Sequence, residues 1–191
     1  MGMTKSELRK LYKERRTAIS SHEKLKLDDL LLIQFQHLAF EEVDTLLTYW
    51  PMANQAEPNT LLFSSYMRHM IPALQIAYAV SDFTSYSMDA YAINEDTVYN
   101  TNTYGITEPA NGTLLPPEAI DLVFVPMLIC DEEGYRAGYG KGFYDRYLAR
   151  CRPEVLKVGF SYFEPVEKII DTQAFDVSLD YCVTPTNIYE F

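Results

Sequence analysis

The stretch DLVFVPMLICD, Asp121 to Asp131, constrains the fold more than any other part of the chain. It is nearly continuous apolar sequence, without the alternation of a strand that keeps one face wet. Such a run needs cover on both faces, as a central strand has in a sheet flanked by helices. The remaining pattern supplies the partners. VDTLLTYWP (Val43–Pro51) reads as a buried strand stopped by Pro51, and ALQIAYAV (Ala73–Val80), VLKVGFSY (Val155–Tyr162) and YCVTP (Tyr181–Pro185) read as further strands. Residues 4–19 read as a charged helix with a narrow stripe of Leu8, Leu11 and Tyr12. A second helix runs to about Ala39 behind the capping pair Ser20 and Glu23. Shorter helices are expected near Asn59 and from Phe143 to about Cys151. Residues 81–104 are polar with alternating aromatics, which fits hairpins or an excursion from the main sheet. Strands that alternate with helices predict an α/β fold, three-layer α/β/α with a mostly parallel central sheet, in one domain over residues 1–191.

The charge balance limits the partners. Against 27 acidic residues stand 16 Lys and Arg, a net charge of −11, which argues against nonspecific binding to nucleic acid or an anionic membrane. A small anionic ligand is still admissible, because screening confines exposed charges to roughly 8 Å at physiological salt. Cys130, Cys151 and Cys182 are isolated and imply no disulfide framework. MGMTKSELRK carries no apolar signal core, and no apolar run approaches the ~18 residues of a membrane span, so the expectation is a cytoplasmic protein.

Chemistry concentrates in GYRAGYGKGFYDRYL, Gly134 to Leu148, where four glycines and four tyrosines share fifteen residues. The stretch joins the apolar strand to a helix. Ligands of open α/β folds sit at the carboxyl ends of strands, and helix N-termini favour phosphate. Gly138, Gly140 and Gly142 let the backbone approach a ligand; Lys141 adds a mobile point charge and Arg136 a planar fork. The pattern is neither a GxxxxGK[ST] loop nor a GxGxxG fingerprint, because Tyr135 and Phe143 stand where glycines are required. A glycine-rich β–α turn with core tyrosines is the bland alternative. Asp145 either complements the helix dipole or holds Mg²⁺ beside a phosphate. In the second case a partner carboxylate is needed, and Asp176 and Asp180 both qualify by position.

The same stretch resembles the signature of the 5-formyltetrahydrofolate cyclo-ligase family, G-x-R-L-G-x-G-x-G-[FY]-Y-D-x-[YF]-L. KSELR (Lys5–Arg9), YWPMANQAEPNT (Tyr49–Thr60), YGITEP (Tyr104–Pro109), DLVFVPMLICDEEGYRAG and LDYCVTP resemble further family elements in the same order. The resemblance implies an α/β/α enzyme that converts 5-formyltetrahydrofolate to 5,10-methenyltetrahydrofolate, with ATP as co-substrate and Mg²⁺. It implies that Lys5, Arg9 and the loop Arg136, Ala137, Gly138, Tyr139, Gly140, Lys141, Gly142, Phe143 and Tyr144 bind ATP. Among these, Lys141, Arg136 and Tyr144 are implied to serve the chemistry. Asp145 and Asp180 are implied on the magnesium side, with Asp176 set aside on spacing. Glu57, Met52 and Trp50 are implied around the folate pterin. Two other readings compete. One is another phosphate-ester enzyme, such as a sugar-phosphate isomerase or a CoA-type transferase, with Glu132 or Glu133 near the loop. The other is a noncatalytic nucleotide or folate binder.

Overall fold

The computed structural model describes residues 2–191. Eight strands form the central sheet: β1 (Thr45–Thr48), β2 (Gln75–Asp82), β3 (Ser87–Ala92), β6 (Thr113–Leu115), β7 (Leu122–Val125), β10 (Leu156–Phe160), β11 (Tyr181–Val183) and β12 (Ile188–Glu190), in the order β12-β11-β10-β7-β1-β2-β3-β6. The inner strands from β11 to β2 are parallel, and β12, β3 and β6 add antiparallel edges. Two small hairpins complete the strand set, β4 (Tyr99–Thr101) with β5 (Thr107–Pro109) and β8 (Ile129–Cys130) with β9 (Arg136–Ala137).

The inner strands bury both faces, as their continuous apolar sequence requires. Leu46, Leu122, Phe124, Val158 and Phe160 point to one side, where they pack against Leu31 and Phe35 of α2 (Ser21–Phe35) and Phe63 and Met67 of α3 (Thr60–Met70). Leu47, Val123 and Val125 point to the other side, against Tyr147 and Leu148 of α4 (Phe143–Leu148). That makes the three layers expected from the sequence. α1 (Lys5–Thr17) opens with a full capping box, Thr4 and Glu7 satisfying each other's backbone N–H. Its Leu8 and Tyr12 pack on Leu128, Ile129 and Ala137, so α1 sits on the β8–β9 hairpin rather than on the main sheet.

Several boundaries differ from the sequence reading. Asp121–Asp131 is not one strand. The sheet portion ends at Val125, Pro126 cannot donate to a ladder, and Ile129–Cys130 pairs instead with Arg136–Ala137. The apolar run is continuous because its second half is buried under α1. The second helix stops at Phe35 instead of Ala39. The aromatic excursion divides: residues 87–92 join the main sheet as β3, and only the β4–β5 hairpin leaves it. Edge strand β12 was not anticipated, since a three-residue partner leaves little periodic signal.

Connections from β1 lead to β2 on one side, while β7 leads to β10 on the other. The crevice above the carboxyl ends of β1 and β7 is therefore the topological switch point, where open α/β sheets bind ligands.

Candidate active site

A cavity of about 580 Å³ opens at that switch point. Tyr49 and Trp50 follow β1, Pro126 follows β7, and Ala79 and Ser81 belong to β2; all of them line it. Its volume suits a small-molecule site.

One end is the glycine loop. The chain returns from the β8–β9 hairpin at Arg136–Ala137 and enters α4 through Gly138–Gly142. Gly140 and Gly142 have φ of +91° and +69°, in the left-handed region. A side chain at Gly140 would also meet the Arg9 guanidinium at 3.3 Å. Among the described residues, none of the backbone N–H groups from Tyr139 to Gly142 donates a hydrogen bond, and all four residues line the cavity. Because α4 has only six residues, its dipole is small, and positive charge here comes from side chains. Helix α1 supplies Lys5, Arg9 and Lys13 at four-residue spacing along one face, all lining the cavity with Lys141. Arg9 Nε donates to the Gly138 carbonyl at 2.8 Å, which ties α1 to the loop. Lys141 Nζ stands 5.9 Å from the centre of the Tyr86 ring. Five cations, Lys5, Arg9, Lys13, Arg136 and Lys141, thus slightly outnumber the lining carboxylates Glu57, Asp145, Asp171 and Asp176 in a protein of net charge −11.

The carboxylates sort themselves by geometry. Asp145 Oδ1 accepts from Arg136 Nη2 at 2.9 Å and from Val177 N at 3.1 Å. Asp176 Oδ2 accepts from Lys5 Nζ and from Gln173 N at 2.6 Å. The Val177 amide therefore brings Asp176 next to Asp145. Their second oxygens, Asp145 Oδ2 and Asp176 Oδ1, accept nothing among the described residues. Two partly free carboxylates beside a phosphate-sized cradle fit Mg²⁺, which takes one or two carboxylates with phosphate oxygens and water. No group of three or more His, Cys, Asp and Glu with metal-holding geometry exists among the described residues.

Asp180 does not belong to this set. It precedes β11 at the amino ends of the parallel strands, where its Oδ2 accepts from Lys157 N at 2.7 Å and pairs with Lys157 Nζ at 2.8 Å. That is the opposite end of the sheet from the cavity, which Asp176 lines and Asp180 does not. Arg136 lines the cavity but is buried, and its guanidinium donates to Asp145 and to the Val177 carbonyl. Ala137 is fully buried under α1, its carbonyl accepts from Leu128 N, and it does not line the cavity.

The other end is built around Glu57, which is 2% exposed. Its loop leaves β1, makes a turn at Ala53–Gln55 and passes through Ala56 at φ 47°. Glu57 Oε2 closes that loop by accepting from Met52 N at 2.7 Å, while Oε1 accepts from Tyr139 OH at 2.5 Å. Behind it, Thr60 Oγ1 donates to the Tyr49 carbonyl at 2.6 Å, and Tyr162 OH donates to buried Asp28 at 2.7 Å. Burial pushes the Glu57 carboxyl above its ordinary range, and the Met52 and Tyr139 hydrogen bonds and Arg16 pull it partly back. The Tyr144 hydroxyl is pushed far up by burial and by the Glu57 charge, so it remains a proton donor. Trp50 packs on Tyr78 and Tyr99 at 6.2 and 5.1 Å while also lining the cavity, and Met52 lines it too.

Sequence reasoning missed several lining residues: Phe83, Tyr104, Ile106, Lys13 and Asp171. Phe83 stacks on Tyr104 at 3.7 Å and meets Phe143 at 5.0 Å, so the β2–β3 turn and the β4–β5 hairpin wall the mouth. The regular aromatics of residues 81–104 were the available signal. Arg68 lies on α3 beside a separate small cavity and does not line this one.

The model of the 5-formyltetrahydrofolate cyclo-ligase family matches residues 2–185. The chain belongs to that family. The cyclo-ligase fold is shared with solved structures. The 5,10-methenyltetrahydrofolate synthetase of Aquifex aeolicus is 29% identical with a TM-score of 0.79, covering 98% of this chain and 93% of that one. The synthetase of Mycoplasma pneumoniae has a TM-score of 0.74 at 23% identity, covering 95% and 98%. Among curated relatives, the 5-formyltetrahydrofolate cyclo-ligase of Mycoplasma genitalium is 36% identical over 73 residues, 38% of this chain and 44% of that protein. The Mycoplasma pneumoniae cyclo-ligase matches at 28% over 186 residues, 95% of this chain and 98% of that protein. No helix among the described residues is long and apolar enough to cross a membrane.

Proposed function

We propose that the protein converts 5-formyltetrahydrofolate to 5,10-methenyltetrahydrofolate, with ATP converted to ADP and phosphate. The observation that carries this reading is a single cavity with an uncommitted cationic loop at one end and the buried Glu57 carboxylate at the other. A formamide oxygen is a poor leaving group. Transfer of the γ-phosphoryl to that oxygen releases ADP and converts the oxygen into a phosphate ester. N10 then attacks the formyl carbon, the C–O bond breaks, and the departing phosphate takes the N10 proton. The protein's contribution is positioning and charge neutralisation.

In this reading the loop N–H groups from Tyr139 to Gly142, with Lys5, Arg9 and Lys141, receive the triphosphate, and Lys141 meets the charge that develops during transfer. Asp145 and Asp176 would hold Mg²⁺, which when bound neutralises phosphate charge. Arg136 orients Asp145. Glu57 accepts paired N–H bonds from the aminopyrimidinone edge of the pterin, with Met52 and Trp50 beside the ring. Tyr144, kept protonated, donates a hydrogen bond to an oxygen of the bound reactants. The phosphate-ester alternative is weakened because Glu133 is exposed and paired with Lys168, outside the cavity, and Glu132 does not line it either. The location is expected to be cytoplasmic and the partner a reduced folate.

Methenyl-folate absorbance tests the reading. Purified protein with 5-formyltetrahydrofolate, ATP and Mg²⁺ is expected to develop the signal. Equal signal without ATP, or none with it, overturns the proposal.

A further inference from the structure

Tyr139 belongs to the glycine loop by sequence, yet its hydroxyl works at the opposite end of the cavity. It donates to Glu57 Oε1 at 2.5 Å and accepts from Arg16 Nη2. Arg16 is 2% exposed and pairs with no carboxylate among the described residues. Its Nε donates to the Gln55 carbonyl at 2.7 Å and its Nη1 to the Met127 carbonyl at 3.0 Å. The guanidinium therefore joins α1 to the Glu57 loop and to the segment after β7, and meets Glu57 only through the Tyr139 hydroxyl. The residues on either side of Tyr139 are glycines with unspent N–H groups, and Arg9 on the same helix grips the Gly138 carbonyl. The position of the Tyr139 ring is thus set by the same backbone that would close around phosphates.

We propose that Tyr139 is a positioning residue that couples the two ends of the cavity: it fixes the Glu57 carboxylate for the pterin edge when a nucleoside triphosphate orders the glycine loop. This rests on the reading of the cavity given above. Buried charges with few partners depend strongly on each one, so a small shift of the hydroxyl changes how well Glu57 can receive a ligand. Ordering of the loop by nucleotide raises folate affinity. By linkage, folate raises nucleotide affinity by the same factor. The phosphates and the pterin need not touch for this to occur, because Tyr139 is the shared element.

The test is a pair of calorimetric titrations on wild type and Tyr139→Phe. The folate ligand is 5-formyltetrahydrofolate, titrated with and without saturating Mg²⁺ and an imido-bridged ATP analogue that cannot transfer its γ-phosphoryl. Wild type is expected to bind the folate at least about fivefold more tightly with the analogue present, within the usual range of coupling. Tyr139→Phe is expected to show less than about twofold tightening while it binds the analogue alone with an affinity within about threefold of wild type. Undiminished coupling in the variant, or none in wild type, overturns the proposal. So does loss of analogue binding by the variant, which would make the Tyr139 hydroxyl a direct nucleotide ligand. Failure of wild type to bind either ligand overturns the reading of the cavity itself, a result distinguishable from the others.

Discussion

The two ends of the cavity are built by opposite means. The loop end is assembled from a short contiguous stretch, Gly138 to Asp145, on top of a cationic helix face, and its backbone N–H groups from Tyr139 to Gly142 make no hydrogen bond among the described residues. The Glu57 end is assembled from distant segments: Met52, Arg16, Tyr139 and Tyr162 all bear on Gln55 or Glu57, and Asp28 holds Tyr162 from behind. Its polar groups are almost all satisfied before a ligand arrives. The contrast matches two tasks. Phosphoryl transfer needs charge available at the moment of reaction, whereas recognition of a flat heterocycle needs a carboxylate held in one orientation, to which Tyr139 contributes.

Substitutions at the two ends should therefore fail differently. Lys141→Ala is expected to lower kcat by roughly 10²–10³-fold, the cost of losing one stabiliser of transition-state charge. Folate affinity, read by titration, should stay within about threefold. An equal loss of folate affinity would blur the division between the ends. Glu57→Gln should do the reverse, raising the folate KM about 10- to 100-fold, in line with loss of a charge-assisted hydrogen bond, with the ATP KM rising by no more than about the fivefold coupling. The pH dependence gives the sign independently. The Glu57 carboxyl is raised above 4.5 by burial, so its contribution to stability is full below the ordinary value and is lost as pH rises through the raised one. Without ligand, Glu57→Gln should therefore gain Tm relative to wild type as pH rises from about 4 to about 7. A constant difference across that range would remove the claim that Glu57 is held at a cost to stability for the sake of function.

Smaller effects sharpen the metal assignment and the charge pattern. Asp176→Asn should raise the Mg²⁺ concentration needed for half-maximal rate about tenfold, while Asp180→Asn leaves it unchanged and alters stability by less than about 1 kcal/mol, as for other partly exposed ion pairs. The opposite ranking would restore Asp180. The smallest effect is electrostatic. The association rate of an ATP analogue, followed by stopped flow, should fall several-fold between low and physiological salt, because a local cationic patch faces an acidic whole. An association rate that rises with salt would mean that the net charge of −11 dominates.

The difference between the ends also explains what could be read from sequence. The glycine loop was legible because glycines, Lys141 and Asp145 are close along the chain and each has a specific chemical use. The parallel sheet was legible because strands covered on both faces are continuously apolar. Residues 121–131 misled for the same reason: burial under α1 looks the same in sequence as burial within the sheet, and Pro126 alone marked the break. Glu57 was reached only through resemblance, since an isolated carboxylate in a turn has no local signature. Arg16 reads as one more charge on a polar helix, yet it is among the most buried charged groups. Asp176 and Asp180 lie four residues apart, and only the register of β11 against β10 decides which one faces the cavity.

The fate of the formyl oxygen tests the central claim most directly. Substrate labelled with ¹⁸O in the formyl group, turned over with ATP and Mg²⁺, is expected to deliver its label to the released phosphate, detected by the isotope shift in ³¹P NMR. Unlabelled phosphate, with the label in water, would contradict phosphorylation of that oxygen and with it the role assigned to Lys141 and the glycine loop.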